Sequence, residues 1–333
     1  MDDTLPLISI VVPVLNEDQN IARLYKTVLD TTQSISSRYR FEFLFTDNHS
    51  TDGSFAILSE LASKDKRVRV LRFSRNFGYQ ASIMTGYLNA GGDAVIQLDC
   101  DLQDPPVMIL DFIKKWEEGF QVVYGVRKVR KEGFWITVLR KVFYRILNAL
   151  SEHRLPLDAG DFRLVDRCIV EQLRSIDDAT PYLRGLITTL GFQQVGIPYD
   201  RDARVAGDSK FSFGDLMKLA IDGILNHSTM PLRLATYCSQ AIFFIAVLVM
   251  AVYCAARMTV GQDWPAGFTT LIVLVLVSTS LNALFFGIMG EYIGRIYRQV
   301  KKQPLTIVES RLNGPSENSV NPTPTSIQIA KAA

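Results

Sequence analysis

Five strand-length apolar runs recur along the first 125 residues, and a helix-length segment separates each run from the next. The first run, LISIVVPV, is apolar at nearly every position, which is typical of a strand covered on both faces. Strands that alternate with helices form a parallel sheet, because each parallel connection needs a crossover. The sequence therefore predicts an α/β fold with a doubly wound, mostly parallel sheet. We place its strands at Leu7–Val14, Phe41–Asp47, Val68–Phe73, Asp93–Asp99 and Phe120–Gly125, and its helices near Asp18–Ile35, Ser54–Lys64, Tyr79–Asn89 and Val107–Trp116.

Two stretches without a charged residue follow later, at Leu234–Ala256 and Phe268–Ile288. About 20 apolar residues span the hydrocarbon core of a bilayer, so both stretches predict transmembrane helices, the alternative being two buried core helices. The positive-inside rule then places the N-terminal domain in the cytoplasm of a multi-pass protein of the inner (cytoplasmic) membrane. The basic residues on the outer flanks are Lys210, Lys218, Arg233, Arg295, Arg298, Lys301 and Lys302.

The predicted organisation has three parts: a cytoplasmic α/β domain at 1–232, a two-helix membrane region at 233–290, and a cytoplasmic tail at 291–333. The tail is rich in Pro, Ser and Asn and is expected to be disordered after about residue 313. Amphipathic helices are expected near 133–151 and 211–228. Two interpretations of the first stay open, a core helix or a helix lying in the membrane interface.

The composition of the chain argues against some classes of partner and some cellular compartments. The charges nearly balance, with 36 Lys and Arg against 34 Asp and Glu, so we expect no nucleic-acid partner. The four cysteines are scattered and form no CxxC pair, which favours a reducing compartment. The acidic N-terminus lacks the basic flank of a signal peptide.

Polar residues cluster where the predicted strands end, and ligands of open α/β sheets bind at that edge. Asn16 and Glu17 follow the first strand, Asp47 ends the second, and Asp99 and Asp101 follow the fourth in QLDCDLQDPP. Carboxylates this close repel one another unless a cation shares the site. One or two carboxylates together with substrate phosphates usually hold Mg²⁺ or Mn²⁺. The fingerprints of dinucleotide folds and P-loops are missing.

Six motifs follow one another along the chain: LISIVVPVLNE, LRFSRNFGYQASIMTGYLNAGGD, QLDCDLQDPP, AGDFRLVDR, GDSKFSF and GEYIGRIYRQV. Together with the Asp47 cluster, they resemble the bacterial family-2 glycosyltransferases that load polyprenyl phosphate. The resemblance is closest to the GtrB-type bactoprenol glucosyl transferases, which are related to dolichyl-phosphate mannose synthases. The resemblance implies a GT-A domain, a UDP-sugar donor, a membrane polyprenyl (undecaprenyl) phosphate acceptor, Mg²⁺ or Mn²⁺, and inversion at the anomeric carbon. It suggests glucose as the sugar and a role in cell-envelope glycan modification such as that of O-antigen, and leaves mannose, galactose or aminoarabinose open.

The resemblance also implies roles for single residues. Asp161 is implied as the catalytic carboxylate, together with the metal ligand Asp101. For Asp161 the alternative is a turn cap or an ion pair with Arg163. Because a phosphate monoester has its second pKa near ~6, the acceptor needs little deprotonation, and we expect Asp161 to orient and stabilise. The other implied residues are Pro13, Asn16, Glu17 and Asp47 for the nucleoside; Asp99, Asp101 and Gln103 for the metal; and Arg204, Ser209 and Lys210 for phosphate.

Arg127 and Arg130 are expected to attract the lipid phosphate, with nonspecific binding to anionic headgroups as the alternative. One motif departs from the family's pattern. The chain has Asp47-Asn48-His49-Ser50 where the family usually carries Asp-Asp-Gly-Ser.

Other functional classes fit less well. A processive polysaccharide synthase would bring more membrane spans and a Q-x-x-R-W motif. A lipid-sugar transporter or scaffold would need more polar membrane residues, or would have no need of Asp99, Asp101 and Asp161. The small and polar residues of the second uncharged stretch favour packing between copies, so we expect a homo-oligomer, with a tetramer as one candidate.

Overall fold

The computed structural model describes residues 5–127, 159–200, 230–260 and 267–314. In this part of the chain the strands are β1 Leu7–Val14, β2 Arg40–Asp47, β3 Val68–Phe73, β4 Ala94–Gln97, β5 Val122–Arg127, β6 Ala159–Asp166, β7 Gln194–Tyr199 and β8 Val308–Leu312. The helices are α1 Ile21–Gln33, α2 Ser54–Lys64, α3 Tyr79–Asn89, α4 Met108–Glu117, α5 Arg167–Ser175, α6 Leu183–Thr189, α7 Met230–Val260 and α8 Phe268–Val300.

The strands form one sheet in the order β7-β5-β6-β4-β1-β2-β3-β8. The central strands β4, β1, β2 and β3 are parallel to one another, and β5 is parallel to β7. Strand β6 runs antiparallel between β4 and β5, and β8 runs antiparallel along β3. The prediction of an α/β fold with a mostly parallel sheet is confirmed.

Helices cover both faces of the sheet, so its strands are apolar on both sides. Alternate residues of β2 show the division: Phe43 and Phe45 face one core, whereas Leu44 faces the other. The first core packs under α1, α2 and α4, and the second under α3, α5 and α6. This double coverage is the physical reason for the continuous apolar runs.

The two uncharged stretches lie within α7 and α8, helices of 31 and 33 residues. Among the described residues, no helix combines the length and hydropathy needed to cross a membrane. The two transmembrane helices therefore stay a prediction. The predicted amphipathic helices near 133–151 and 211–228 lie outside the described residues.

The chain returns to the sheet after α8. Helix α8 continues to Val300, and β8 then pairs with β3 in the register Val70 to Leu312. The side-chain amide of Asn313 donates to the carbonyl oxygen of Val68 at 2.9 Å, which fastens the end of β8 to the start of β3. Part of the predicted tail thus belongs to the sheet of the N-terminal domain.

Candidate active site

One edge of the sheet collects most of the residues singled out by the sequence. The parallel strands β1, β2 and β4 end there, which places Asp47 and Asp99 at this edge. Strand β6 runs the other way, so its beginning, with Asp161, reaches the same edge. The end of β5 adds Arg127. The topology therefore brings together carboxylates that are far apart in the sequence.

The loop after β1 is tied to the loop after β2. The backbone N–H of Asn16 donates to Ser50 Oγ at 2.9 Å, and Asn16 Oδ1 accepts from the N–H of Thr51 at 2.8 Å. The N–H of Glu17 donates to Ser54 Oγ at 2.8 Å. Pro13 is buried in β1 beside Thr46. The residues predicted to hold a nucleoside therefore share one side of the edge.

Asp47 is fully buried at the end of β2. Its Oδ1 accepts from the N–H of Ser50 at 3.0 Å, whereas Oδ2 is buried without a hydrogen bond. Arg72 Nη1 lies 3.8 Å from Oδ2 and offsets part of its charge. A buried carboxylate oxygen without a donor is costly, and the nearby guanidinium of Arg72 offsets part of that cost.

The departure at Asn48-His49 leaves the turn intact. His49 adopts φ 61°, the left-handed conformation that glycine takes most easily, at the position where the family usually has glycine. The His49 ring approaches the carbonyl oxygen of Phe73 at 3.0 Å and Glu309 Oε2 at 3.4 Å. These contacts help to hold a conformation that costs a non-glycine residue about 1 kcal/mol.

The side chain of Asp99 is held from two sides. Tyr79 Oη donates to Asp99 Oδ1 at 2.5 Å, and Gln97 Nε2 donates to the same oxygen at 2.8 Å. Burial, and then the charges of Asp104, Asp161 and Asp101, raise the pKa of Asp99 to about 7, although the bond from Tyr79 acts in the opposite direction. Burial and the neighbouring carboxylates therefore disfavour the ionised form of Asp99, and a bound cation would favour it.

Asp101 is buried, and its Oδ1 accepts from the N–H of Gln103 at 3.1 Å. Within the described ranges, no group of three or more histidine, cysteine, aspartate or glutamate side chains is placed to hold a metal by itself. A metal that also binds substrate phosphates needs only one or two carboxylates. The pair Asp99 and Asp101 fits Mg²⁺ or Mn²⁺ bound in that way, with Gln103 beside it.

Arg127 is partly buried beside this cluster. Its Nε donates to Tyr199 Oη at 3.3 Å, and its Nη2 lies 3.7 Å from Asp104 Oδ1. Tyr199 also donates a hydrogen bond to Asp104. Arg127 thus lies at the same edge of the sheet as Asp47 and Asp99, and its predicted role at the lipid phosphate stays a prediction. Four predicted residues lie outside the described ranges: Arg130, Arg204, Ser209 and Lys210.

Asp161 forms a two-point ion pair with Arg184, a residue of α6. Arg184 Nε donates to Oδ1 at 2.8 Å, and Nη2 donates to Oδ2 at 2.7 Å. Arg163, the partner considered in the sequence, lies 4.0 Å away. Burial would raise the pKa of Asp161, but the charges of Arg184 and Arg163 outweigh burial and lower it. Asp161 therefore stays a carboxylate and is a weak base.

Sequence reasoning missed the residues that hold the carboxylates, namely Tyr79, Gln97 and Arg184. Tyr79 stands in the quoted segment SRNFGYQ, and its place at the start of a predicted helix after the third strand was the available signal. Arg184 offered none, because its pairing with Asp161 depends on how α6 folds back over β6.

Comparison with known proteins decides the family. The model of glycosyl transferase family 2 matches residues 9–174. An uncharacterized glycosyltransferase of Bacillus subtilis, YkcC, is 39% identical and covers 90% of this chain and 93% of its own length. The SfII prophage-derived bactoprenol glucosyl transferase of Shigella flexneri is 35% identical, and the match covers 92% of this chain and 99% of that protein.

The chain belongs to glycosyl transferase family 2. It is an enzyme of the transferase class, similar along nearly its whole length to proteins named bactoprenol glucosyl transferase. Among solved structures, glucosyl-3-phosphoglycerate synthase from Mycobacterium tuberculosis, in complex with Mn²⁺, UDP and phosphoglyceric acid, is 21% identical. That match has a TM-score of 0.49 and covers 66% of this chain and 76% of the synthase.

Proposed function

We propose that this glycosyltransferase moves a sugar, glucose in the first place, from a UDP-sugar to undecaprenyl phosphate with inversion at the anomeric carbon. The observation that carries the proposal is the meeting of Asp47, the pair Asp99 and Asp101, and Asp161 at one edge of the sheet. The acceptor and the sugar are suggested by relatives named bactoprenol glucosyl transferase. The product would be a lipid-linked sugar for modifying cell-envelope glycans.

Each carboxylate has a distinct task in this reaction. Asp47 would lie beneath the nucleoside and hold the turn at Ser50 through Oδ1. Asp99, Asp101 and Gln103 would hold Mg²⁺ or Mn²⁺, which offsets the charge of the leaving diphosphate when bound. Asp161, kept ionised by Arg184, would stabilise the positive charge that develops on the sugar as the glycosidic bond breaks.

The acceptor needs no strong base, because a phosphate monoester is mostly deprotonated at neutral pH, its second pKa being ~6. The lowered pKa of Asp161 is consistent with a carboxylate that orients and stabilises. Arg127 supplies a guanidinium at the same edge and is the described residue best suited to attract the lipid phosphate.

We place the enzyme at the cytoplasmic face of the inner membrane. Support comes from the uncharged stretches in α7 and α8 and from large apolar side chains exposed on them, such as Phe244 and Phe286. Assembly into a homo-oligomer belongs to the same proposal, because exposed apolar side chains along a helix suit packing against another copy.

The test uses the full-length protein purified in detergent, with labelled UDP-glucose, undecaprenyl phosphate and Mg²⁺ or Mn²⁺. We expect a chloroform-soluble labelled product that requires the metal and the lipid phosphate. Asp101→Ala should abolish the product, whereas Asp111→Ala, which removes an exposed carboxylate on α4, should leave it unchanged. Product from another UDP-sugar but not from UDP-glucose would correct the sugar, and no lipid product from any donor would refute the proposed reaction.

A further inference from the structure

Both carboxylate oxygens of Asp161 accept hydrogen bonds from one side chain, that of Arg184. Arg184 donates from Nε and Nη2 at 2.8 and 2.7 Å, the parallel geometry of a guanidinium facing a carboxylate. Two such bonds fix the plane of the carboxylate as well as its position, which one bond cannot do. Only 9% of the Asp161 side chain is exposed, so its carboxylate depends mainly on protein partners for hydrogen bonds.

The helix that carries Arg184 is anchored to the other side of the site. The N–H of Leu183, at the start of α6, donates to Gln80 Oε1 at 3.1 Å. Gln80 lies in the first turn of α3, next to Tyr79, which holds Asp99 at 2.5 Å. The start of α3 therefore connects the supports of both carboxylates. Helices α3 and α6 both contribute residues to the second core, and the hydrogen bond from Leu183 to Gln80 links them directly.

A purely stabilising ion pair is the competing explanation. Exposed ion pairs contribute about 0–1 kcal/mol to the stability of the fold. A pair with that role alone could lie anywhere on the protein and would not affect catalysis. This pair differs because it lies at the ligand-binding edge and because Asp161 and Asp99 repel each other. Without Arg184, Asp161 would still have the hydrogen bond with the Gln80 side chain and Arg163 at 4.0 Å. It would lose the two parallel bonds that fix the plane of its carboxylate.

We propose that Arg184 is a positioning residue, which fixes the carboxylate of Asp161 in the orientation needed to stabilise the sugar during transfer. The inference rests on the proposed function and adds to it a residue that acts only through Asp161. Loss of Arg184 should therefore lower kcat and leave the KM for the UDP-sugar nearly unchanged. Its effect should also disappear when Asp161 is already lost.

A double-mutant cycle tests this dependence in the full-length enzyme. Asp161→Asn should lower kcat about 10³-fold, as expected for loss of a charge that stabilises the transition state. Arg184→Gln should lower kcat about 10²-fold through misplacement of the carboxylate. Groups that act as a unit are non-additive, so the double variant should be no slower than Asp161→Asn alone.

Two further variants separate geometry from charge and from general damage. Arg184→Lys keeps the charge but gives up the two-point fork, so kcat should fall about tenfold, between wild type and Arg184→Gln. Lys64→Gln is the control, because Lys64 forms an exposed ion pair with Glu60 on α2, and its kcat should not change. Arg184→Lys replaces Arg184→Gln in the cycle if the glutamine variant does not fold.

The outcomes are distinct. The positioning role is overturned if the fold-losses in kcat of Asp161→Asn and Arg184→Gln multiply in the double variant. It is also overturned if Arg184→Gln changes the KM for the UDP-sugar and leaves kcat unchanged. In both cases, product formation by the wild-type enzyme would still uphold the proposed function. Absence of lipid product from the wild-type enzyme with every donor would overturn the proposed function and this inference together.

Discussion

Gly86 lies on the face of α3 that packs against β1, and it is buried where helix and sheet come closest. A Cβ atom added there would lie 2.3 Å from Val11 Cγ1 and 3.5 Å from Thr46 Cγ2. Ordinary contact begins near 3.4 Å, so α3 or Val11 would have to move by about 1 Å. Val11 cannot move easily, since it is fully buried in a central strand and its β-branched side chain is stiff.

Two opposing terms set the size of the effect of Gly86→Ala. Alanine is favoured over glycine inside a helix by about 1 kcal/mol. Overpacking a tight core costs about 1–3 kcal/mol, and the 2.3 Å approach belongs at the upper end. We expect a net loss of about 1–2 kcal/mol, which lowers Tm by about 2–6 °C. Product formation should fall as well, because the first turn of α3 carries Tyr79 and Gln80.

Thermal unfolding followed by circular dichroism measures the change, with the lipid-product assay beside it. Adding Val11→Ala removes the clashing atom, so the double variant should be more stable than the sum of the two single effects. Gly290→Ala is the control, because a Cβ at this position in α8 meets nothing within 4 Å. A Tm for Gly86→Ala at or above that of wild type would refute the reasoning.

Three further results are expected. Tyr79→Phe removes the 2.5 Å hydrogen bond to Asp99 without changing packing, so the Mn²⁺ concentration for half-maximal activity should rise about tenfold. Hydrogen bonds from Arg67 lower the pKa of Asp65 to about 2. The free energy of unfolding of wild type should therefore exceed that of Asp65→Asn by about 1 kcal/mol above pH 4, and the difference should vanish as pH falls through 2, as measured by urea unfolding at each pH. Asn313→Ala removes amide bonds to backbone carbonyl oxygens and should cost about 1–2 kcal/mol in urea unfolding.

Local patterns were enough for the central sheet. The predicted strands Leu7–Val14 and Val68–Phe73, and the helices Ser54–Lys64 and Tyr79–Asn89, have the bounds that the structure gives them. Runs of apolar residues and the turns between them are encoded by neighbouring residues, so periodicity reveals them. The parallel order then implied which strand ends meet, and Asp47 and Asp99 could be placed at one edge.

Pairings between distant segments could not be found in this way. Strand β6 was not predicted, because an antiparallel strand inserted between β4 and β5 depends on both neighbours. Strand β8 was assigned to the tail, since nothing in five residues shows that they return to β3. Such contacts depend on the closure of long loops, which leaves no periodic mark in the sequence.

The sequence by itself determined the α/β fold, the family, and the carboxylates that carry the proposed chemistry, because these reside in short, ordered motifs. Only the tertiary structure decided how the carboxylates are held. The grip of Arg184 on Asp161 and of Tyr79 on Asp99 arises where α6 and α3 pack over the sheet. The reason is physical: an ion pair needs its two charges within a few ångströms, and only the folded chain brings residues so far apart in sequence to that distance.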